Sequence, residues 1–148
     1  MLTIIEKVIF LQNVEVFRDV ATEDLAYLAA IAEEVDFAEG AVIFEESQPS
    51  DSLFLVLEGL VKLNRNGAEI AEAGQEEAFG TWALFDEAPR VVTATAAIPT
   101  RLLRIDREEF FDLLADHTNI TQGVFKSVVL RLRSLMETFS GRPPGSAG

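Results

Sequence analysis

The stretch GQEEAFGTWALFDEAPRVVT, residues 74–93, decides how the rest of this 148-residue chain is read. Phe79-Gly80 ends a short strand, Thr81 to Leu84 form one helical turn, and Pro89-Arg90 leads into the next strand. A short helix leaves backbone N–H groups unpaired at its start, and a nearby arginine adds a two-pronged cation. Together they describe a small anion cradle. The alternative for Arg90 is a surface arginine paired with Asp86 or Glu87, an arrangement that is common and weak.

On either side of this stretch the hydrophobic period differs. Ile4, Ile5, Val8, Ile9 and Leu11 recur at helical spacing, and Thr22-Glu23-Asp24 opens a second helix with Leu25, Leu28, Ala29, Ala32 and Val35 on one face. From Gly40 the chain turns to short β-branched and aromatic runs: 41–44, 52–57, 60–64, 69–73, 91–97 and 100–105. Asn66-Gly67 sits between two of these runs and can supply the positive φ angles of a tight hairpin. Short strands at this spacing, with no long helix between them, predict an antiparallel barrel or jelly roll and disfavour a parallel βαβ fold.

Asp106 then caps a helix whose third residue is Glu109 and whose apolar face is Phe110, Phe111, Leu113 and Leu114. A longer helix follows His117. In it Phe125, Val128, Leu132, Leu135 and Phe139 step by three and four residues, the spacing of a coiled-coil seam. The stripe has two readings, a homodimer contact or a cover for the domain's own barrel.

Composition narrows the function. The chain has 12 basic and 25 acidic side chains and a net charge of -13. Such a field repels nucleic acid and anionic membrane surfaces, so neither is an expected partner. Residues 1–100 hold five basic and 19 acidic side chains, whereas residues 101–148 hold seven and six. The acid therefore lies on the first helices and the strands, where it reads as a solvating surface. With 49% hydrophobic residues the chain has enough apolar side chain for a core. The absence of cysteine removes disulfides and thiolate metal sites and fits a reducing, cytoplasmic setting. The single histidine, His117, excludes multi-histidine metal sites, and no nucleophile elbow or phosphate-loop motif accompanies it. No metal, no obligatory cofactor and no enzyme activity are expected.

The 74–93 stretch resembles the phosphate-binding cassette of the cyclic nucleotide-binding domain family, the effector module of catabolite-activator-type regulators. Other motifs follow in the family's order over roughly residues 14 to 136. Val16-Phe17 with Leu25 is similar to the helical start, and Gly40 with Val42-Ile43-Phe44-Glu45 to the first barrel strand. Asp51, Leu53-Phe54-Leu55-Val56 and Gly59 are similar to the next strand, and Leu102-Leu103-Arg104-Ile105-Asp106 with Phe110 to the last strand and following helix. The resemblance implies a mainly β fold with flanking helices, a double-stranded β-helix or jelly-roll barrel. Its expected parts are an N-terminal helical segment (1–36), the jelly roll (37–106), C-terminal helices (107–140) and a disordered tail (141–148), one domain in all.

The resemblance also implies a ligand, cAMP or cGMP by default, or another small nucleotide-like anion. Arg90 matches the arginine that meets the cyclic phosphate, and Gly80 and Ala83 match residues whose backbone lines the same site. Thr81 stands where the family usually has a glutamate that accepts from the ribose 2′-hydroxyl. Losing such a charged hydrogen bond costs about 1.5 to 3 kcal/mol, roughly ten- to a hundredfold in affinity. Val91 and Val92 replace small residues next to the phosphate, where overpacking typically costs about 1 to 3 kcal/mol. Ser47 and Glu76 replace glycines usual in the family's turns, and Trp82, where Leu or Met is common, is expected to fill core. The expected function is a ligand-sensing regulatory domain. The alternative is a degenerate member that serves as a structural or dimerisation module. A DNA-binding helix-turn-helix is not expected, because the chain ends soon after the long helix.

Overall fold

The computed structural model describes residues 1–86 and 88–140; Glu87 and the tail expected to be disordered, 141–148, lie outside the described residues. Helix α1 (Ile4–Leu11) opens on a capping box, with the Thr3 hydroxyl accepting from the Glu6 amide and the Glu6 carboxylate accepting from the Thr3 amide. A 3-10 turn (Glu15–Phe17) and helix α2 (Thr22–Ile31) follow. Eight strands come next: β1 (Glu33–Phe37), β2 (Val42–Phe44), β3 (Ser52–Glu58), β4 (Val61–Arg65), β5 (Ala68–Ala73), β6 (Ala78–Phe79), β7 (Thr93–Ala96) and β8 (Thr100–Asp106). A second 3-10 turn, Thr81–Leu84, separates β6 from β7. Helices α3 (Arg107–Asp116) and α4 (Thr118–Ser140) close the fold.

The strands form two four-stranded sheets, ordered β1-β8-β3-β6 and β2-β7-β4-β5, and every ladder is antiparallel. This is the expected jelly roll with its flanking helices. The hairpin at Asn66-Gly67 also forms as expected, with φ of 53° and 82° at the two loop residues.

The helical stripe that reads through to Val35 ends sooner. Ala32 is already extended (φ -84°, ψ 129°), and Glu33–Phe37 is a strand in which Val35 lies opposite Leu102 of β8. Val35 and Phe37 are two residues apart, which serves one face of a strand and not of a helix.

Strand β3 shows how the core is divided. Its side chains alternate, so Leu53, Leu55 and Leu57 face the helices while Phe54 and Val56 face the barrel interior. A strand buried on both faces reads as a continuous apolar run, which is what SLFLVLE presents. On the helical side these leucines meet Leu11, Phe17, Leu28 and Phe110, all fully buried. Inside the barrel the Phe54 and Phe79 rings stack with centroids 5.4 Å apart, and the Phe44 ring lies tilted 6.0 Å from each.

The long helix is anchored at its start. Ile120 and Val124 are buried, and Gly123 approaches the α2 lead-in so closely that a Cβ would lie 2.9 Å from the Asp19 carbonyl oxygen. The Ser127 hydroxyl accepts from the Asp19 amide at 2.9 Å. Val128 packs against this same core, which agrees at this position with the stripe as a cover for the domain's own barrel. Phe125, Leu132 and Phe139 remain exposed, at 71%, 57% and 87%. Among the described residues no helix is long and apolar enough to cross a membrane.

Candidate functional site

The chain between β6 and β7 is held at both ends. Phe79 pairs with Phe54 of β3, and Gly80 then takes a left-handed conformation (φ 71°, ψ 20°) that turns the backbone into Thr81–Leu84. In that turn Ala83 and Leu84 are buried, and Leu84 belongs to the helical core and so fixes the turn on it. Beyond it, the Arg90 amide donates to Gln48 O and Arg90 O accepts from the Ser47 amide, both at 2.8 Å. Ser47 and Glu76, the two residues that replace turn glycines, have φ of 72° and 69°. The left-handed turns persist there without glycine, at the conformational cost that a side chain imposes in that region.

Arg90 is not a surface arginine. It is only 7% exposed, and its guanidinium carbon lies 4.0 Å from the centroid of the Phe44 ring and 5.9 Å from that of Phe54. Nη2 donates to Ser52 O at 2.8 Å, and Nε is buried without a hydrogen-bond partner. Asp86 instead accepts from the Ala88 amide through Oδ1, and among the described residues no carboxylate forms an ion pair with Arg90. Glu87, the other partner weighed for it, lies outside the described residues. Burial pulls the pKa of Arg90 below the ordinary arginine value, with the Asp51 charge opposing this and Arg104 and Arg107 adding to it. An arginine so placed stays protonated at neutral pH.

The contrast with Arg104 is informative. That side chain also lines a cleft beside Arg90, but it lies 3.3 Å from Glu33, 3.6 Å from Asp106 and 4.0 Å from Asp51. Its charge is balanced within the protein. Among the described residues the charge of Arg90 has no such partner, and a buried cation without a counter-ion is costly until an anion reaches it.

Gly80, Thr81, Ala83, Arg90, Val91 and Val92 all line one cavity of about 360 Å³. Phe44, Leu63 and Phe79 add apolar wall. Val92 packs against the barrel core, whereas Val91 is 64% exposed at the rim, so the two valines leave the cavity in place. The Ala83 amide donates to Gly80 O at 3.2 Å and so is engaged within the turn. The amides of Thr81 and Trp82 precede the first bond that such a turn can make.

Two features escape sequence reasoning. Trp82, expected in the core, is 53% exposed and lines the cavity; in a four-residue turn whose Ala83 and Leu84 take the inward positions, it is left at the rim. Arg107, the first residue of α3, reaches back and donates through Nη1 to Asp86 O at 2.7 Å and Ala83 O at 3.1 Å. Beside it Phe85 meets Phe110 of α3 edge-on, 6.0 Å between centroids. The cavity turn is thereby tied to the C-terminal helices. His117, the lone histidine, caps α3 and stacks on Tyr27 at 4.1 Å; among the described residues no cluster of metal-ligating side chains occurs.

An antiparallel jelly roll whose glycine-initiated turn and buried arginine, free of ion pairs among the described residues, line one cavity defines a small-ligand effector module. Residues 34–117 match the family described as cyclic nucleotide-binding domain, and the chain belongs to that family. It is 29% identical over 123 residues to the CRP-like cAMP-activated global transcriptional regulator of Mycobacterium tuberculosis, covering 80% of this chain and 55% of that protein. It is 26% identical over 145 residues to the cAMP-dependent protein kinase regulatory subunit of Dictyostelium discoideum, covering 93% of this chain and 42% of that one. The chain thus spans about half the length of the curated relatives it matches. Among solved structures, the N-terminal domain of a transcriptional regulator from Streptomyces coelicolor A3(2) superimposes with a TM-score of 0.80 at 33% identity, covering 85% of this chain and 94% of that one.

Proposed function

We propose that this domain is a non-enzymatic regulatory sensor that holds a cyclic nucleotide, cAMP or cGMP, or a closely similar small anion, with its phosphate at Arg90. The observation that carries this reading is the state of the Arg90 guanidinium: 7% exposed, one hydrogen bond to Ser52 O, and Nε without a partner. Gly80, Thr81, Ala83, Val91 and Val92 surround the ligand, with the Thr81 hydroxyl as a short neutral contact. Relatives named for cAMP activation and for cAMP-dependent kinase regulation support the choice of ligand class.

Occupancy reaches α3 and α4 through Arg107 and Phe85, and the exposed residues Phe125, Leu132, Leu135 and Phe139 form a homodimer contact along α4. Val128 contributes to that contact only by seating the helix on its own domain. A ligand that binds only the folded state raises the unfolding midpoint, so saturating cAMP or cGMP, at about a hundred times its dissociation constant, adds roughly 2.7 kcal/mol of stability. No stabilisation at millimolar ligand would leave the second reading, a domain of this family retained as a dimerisation module.

A further inference from the structure

Trp82 is the only tryptophan of the chain, and the fold leaves it at the surface and not in the core. Its neighbours Ala83 and Leu84 are buried, while its own indole is 53% exposed and lies 6.0 Å from the Phe85 ring, tilted by 51°. An indole left in water forgoes much of the free energy its burial would give. It nevertheless forms wall of the same cavity that ends in the Arg90 guanidinium. Val91, also at the rim, is 64% exposed and is apolar as well.

Among the residues that line the cavity, Arg90 is buried beside the apolar rings of Phe44 and Phe79, whereas Trp82, Val91 and Asp86 are exposed. One buried cation sits inside, and an aromatic plane and an aliphatic side chain sit outside. Asp86, exposed at the same mouth with Oδ1 held by the Ala88 amide, disfavours a second negative charge there. A ligand that matches this order has a single anionic group followed by a flat, uncharged body. Resting on the reading of Arg90 given above, we propose that Trp82 is the specificity-determining residue that stacks on the planar base of the bound nucleotide. The indole and Val91 then lose solvent on binding, and the base replaces the water that now covers them.

The sole indole makes the test direct. Binding of cAMP by calorimetry is compared with binding of ribose 3′,5′-cyclic phosphate that carries no base, for the unmodified protein, Trp82→Ala and Trp82→Phe. Base–aromatic stacking predicts that Trp82→Ala weakens cAMP about tenfold or more, leaves the base-free compound within about twofold, and is largely rescued by Trp82→Phe. In the unmodified protein the intrinsic fluorescence should change saturably with cAMP, at the calorimetric dissociation constant. The inference is overturned if Trp82→Ala binds cAMP as tightly as the unmodified protein, or if it weakens both compounds equally, which would mark a structural role. Urea unfolding of Trp82→Ala checks that the fold is intact. If the unmodified protein binds neither cAMP nor the base-free phosphate, the Arg90 reading itself fails, and that outcome is distinct from a loss confined to the base.

Discussion

Arg90 packs its guanidinium directly onto the backbone of Gly80: a Cβ built at Gly80 would lie 2.6 Å from Nη1, with the Ser52 carbonyl oxygen 3.3 Å away on the same side. The left-handed backbone at Gly80 and the seat of the cation are thus one arrangement. A side chain at residue 80 would be strained by its φ of 71° and would press on the buried guanidinium of the cavity wall.

Gly80→Ala should therefore act on both counts. The left-handed conformation costs an alanine about 1 to 2 kcal/mol, read as a lower urea midpoint at unchanged m-value. Ligand affinity should fall by more than stability explains, because Arg90 must leave Ser52 O to make room. Wild-type affinity in a folded Gly80→Ala protein would show that the contact does not position Arg90.

Arg107 offers a second test of how the site is connected. Its Nη1 holds the carbonyls of Ala83 and Asp86, so Arg107→Ala leaves two turn carbonyls without this partner while sparing the Phe85–Phe110 contact. Each hydrogen bond to a charged group is worth about 1.5 to 3 kcal/mol when partly shielded from water. The turn should open more often, which hydrogen exchange reports as lost protection at the Phe85 and Asp86 amides, both bonded to Trp82 O, with protection of β3 and β8 unchanged. Equal loss of protection across the sheet would point to general destabilisation.

Acid should loosen the N-terminus before the site. The Glu6 carboxyl is held below its ordinary value, first by the hydrogen bond from the Thr3 amide and then by that with the Thr3 side chain. A carboxyl with a depressed folded-state pKa adds stability above its unfolded value and loses it as pH falls through the folded value. Protection of the Thr3 amide should therefore fade as pH drops below about 4. Arg90, although its pKa is lowered by burial, stays protonated, so affinity for a cyclic phosphate should be flat from about pH 6 to 9. A titration of affinity within that range would contradict the assignment of Arg90 as the phosphate partner.

Much of this architecture is legible in the residues because it rests on local rules. Asn66-Gly67 can adopt two successive positive φ angles, Asp106 is spaced to accept from the Glu109 amide, and a turn at Thr81–Leu84 follows from a glycine ahead of it and a proline behind. What the residues do not reveal depends on tertiary contact. Val35 fits a helical stripe as well as a strand until β8 supplies its ladder partner. Val128 and Phe125 look alike along α4 until one is seated on the domain core and the other is not. Arg90 has two carboxylates nearby in sequence, yet Phe44 and Ser52 lie more than 35 residues away and are what hold it. Trp82 looks like core by residue type, and only the crowding of Ala83 and Leu84 inward leaves it at the rim.

The central claim is that the unpaired Arg90 cation holds the ligand's phosphate, and its most direct test is a calorimetric titration of cAMP and cGMP into the unmodified protein and Arg90→Ala. Removing one partner of a buried charge pair costs about 2 to 5 kcal/mol, so at least one nucleotide should bind the unmodified protein saturably and Arg90→Ala about thirtyfold or more weaker. Saturable binding of equal strength in both proteins, or no heat from either up to millimolar ligand, would contradict it.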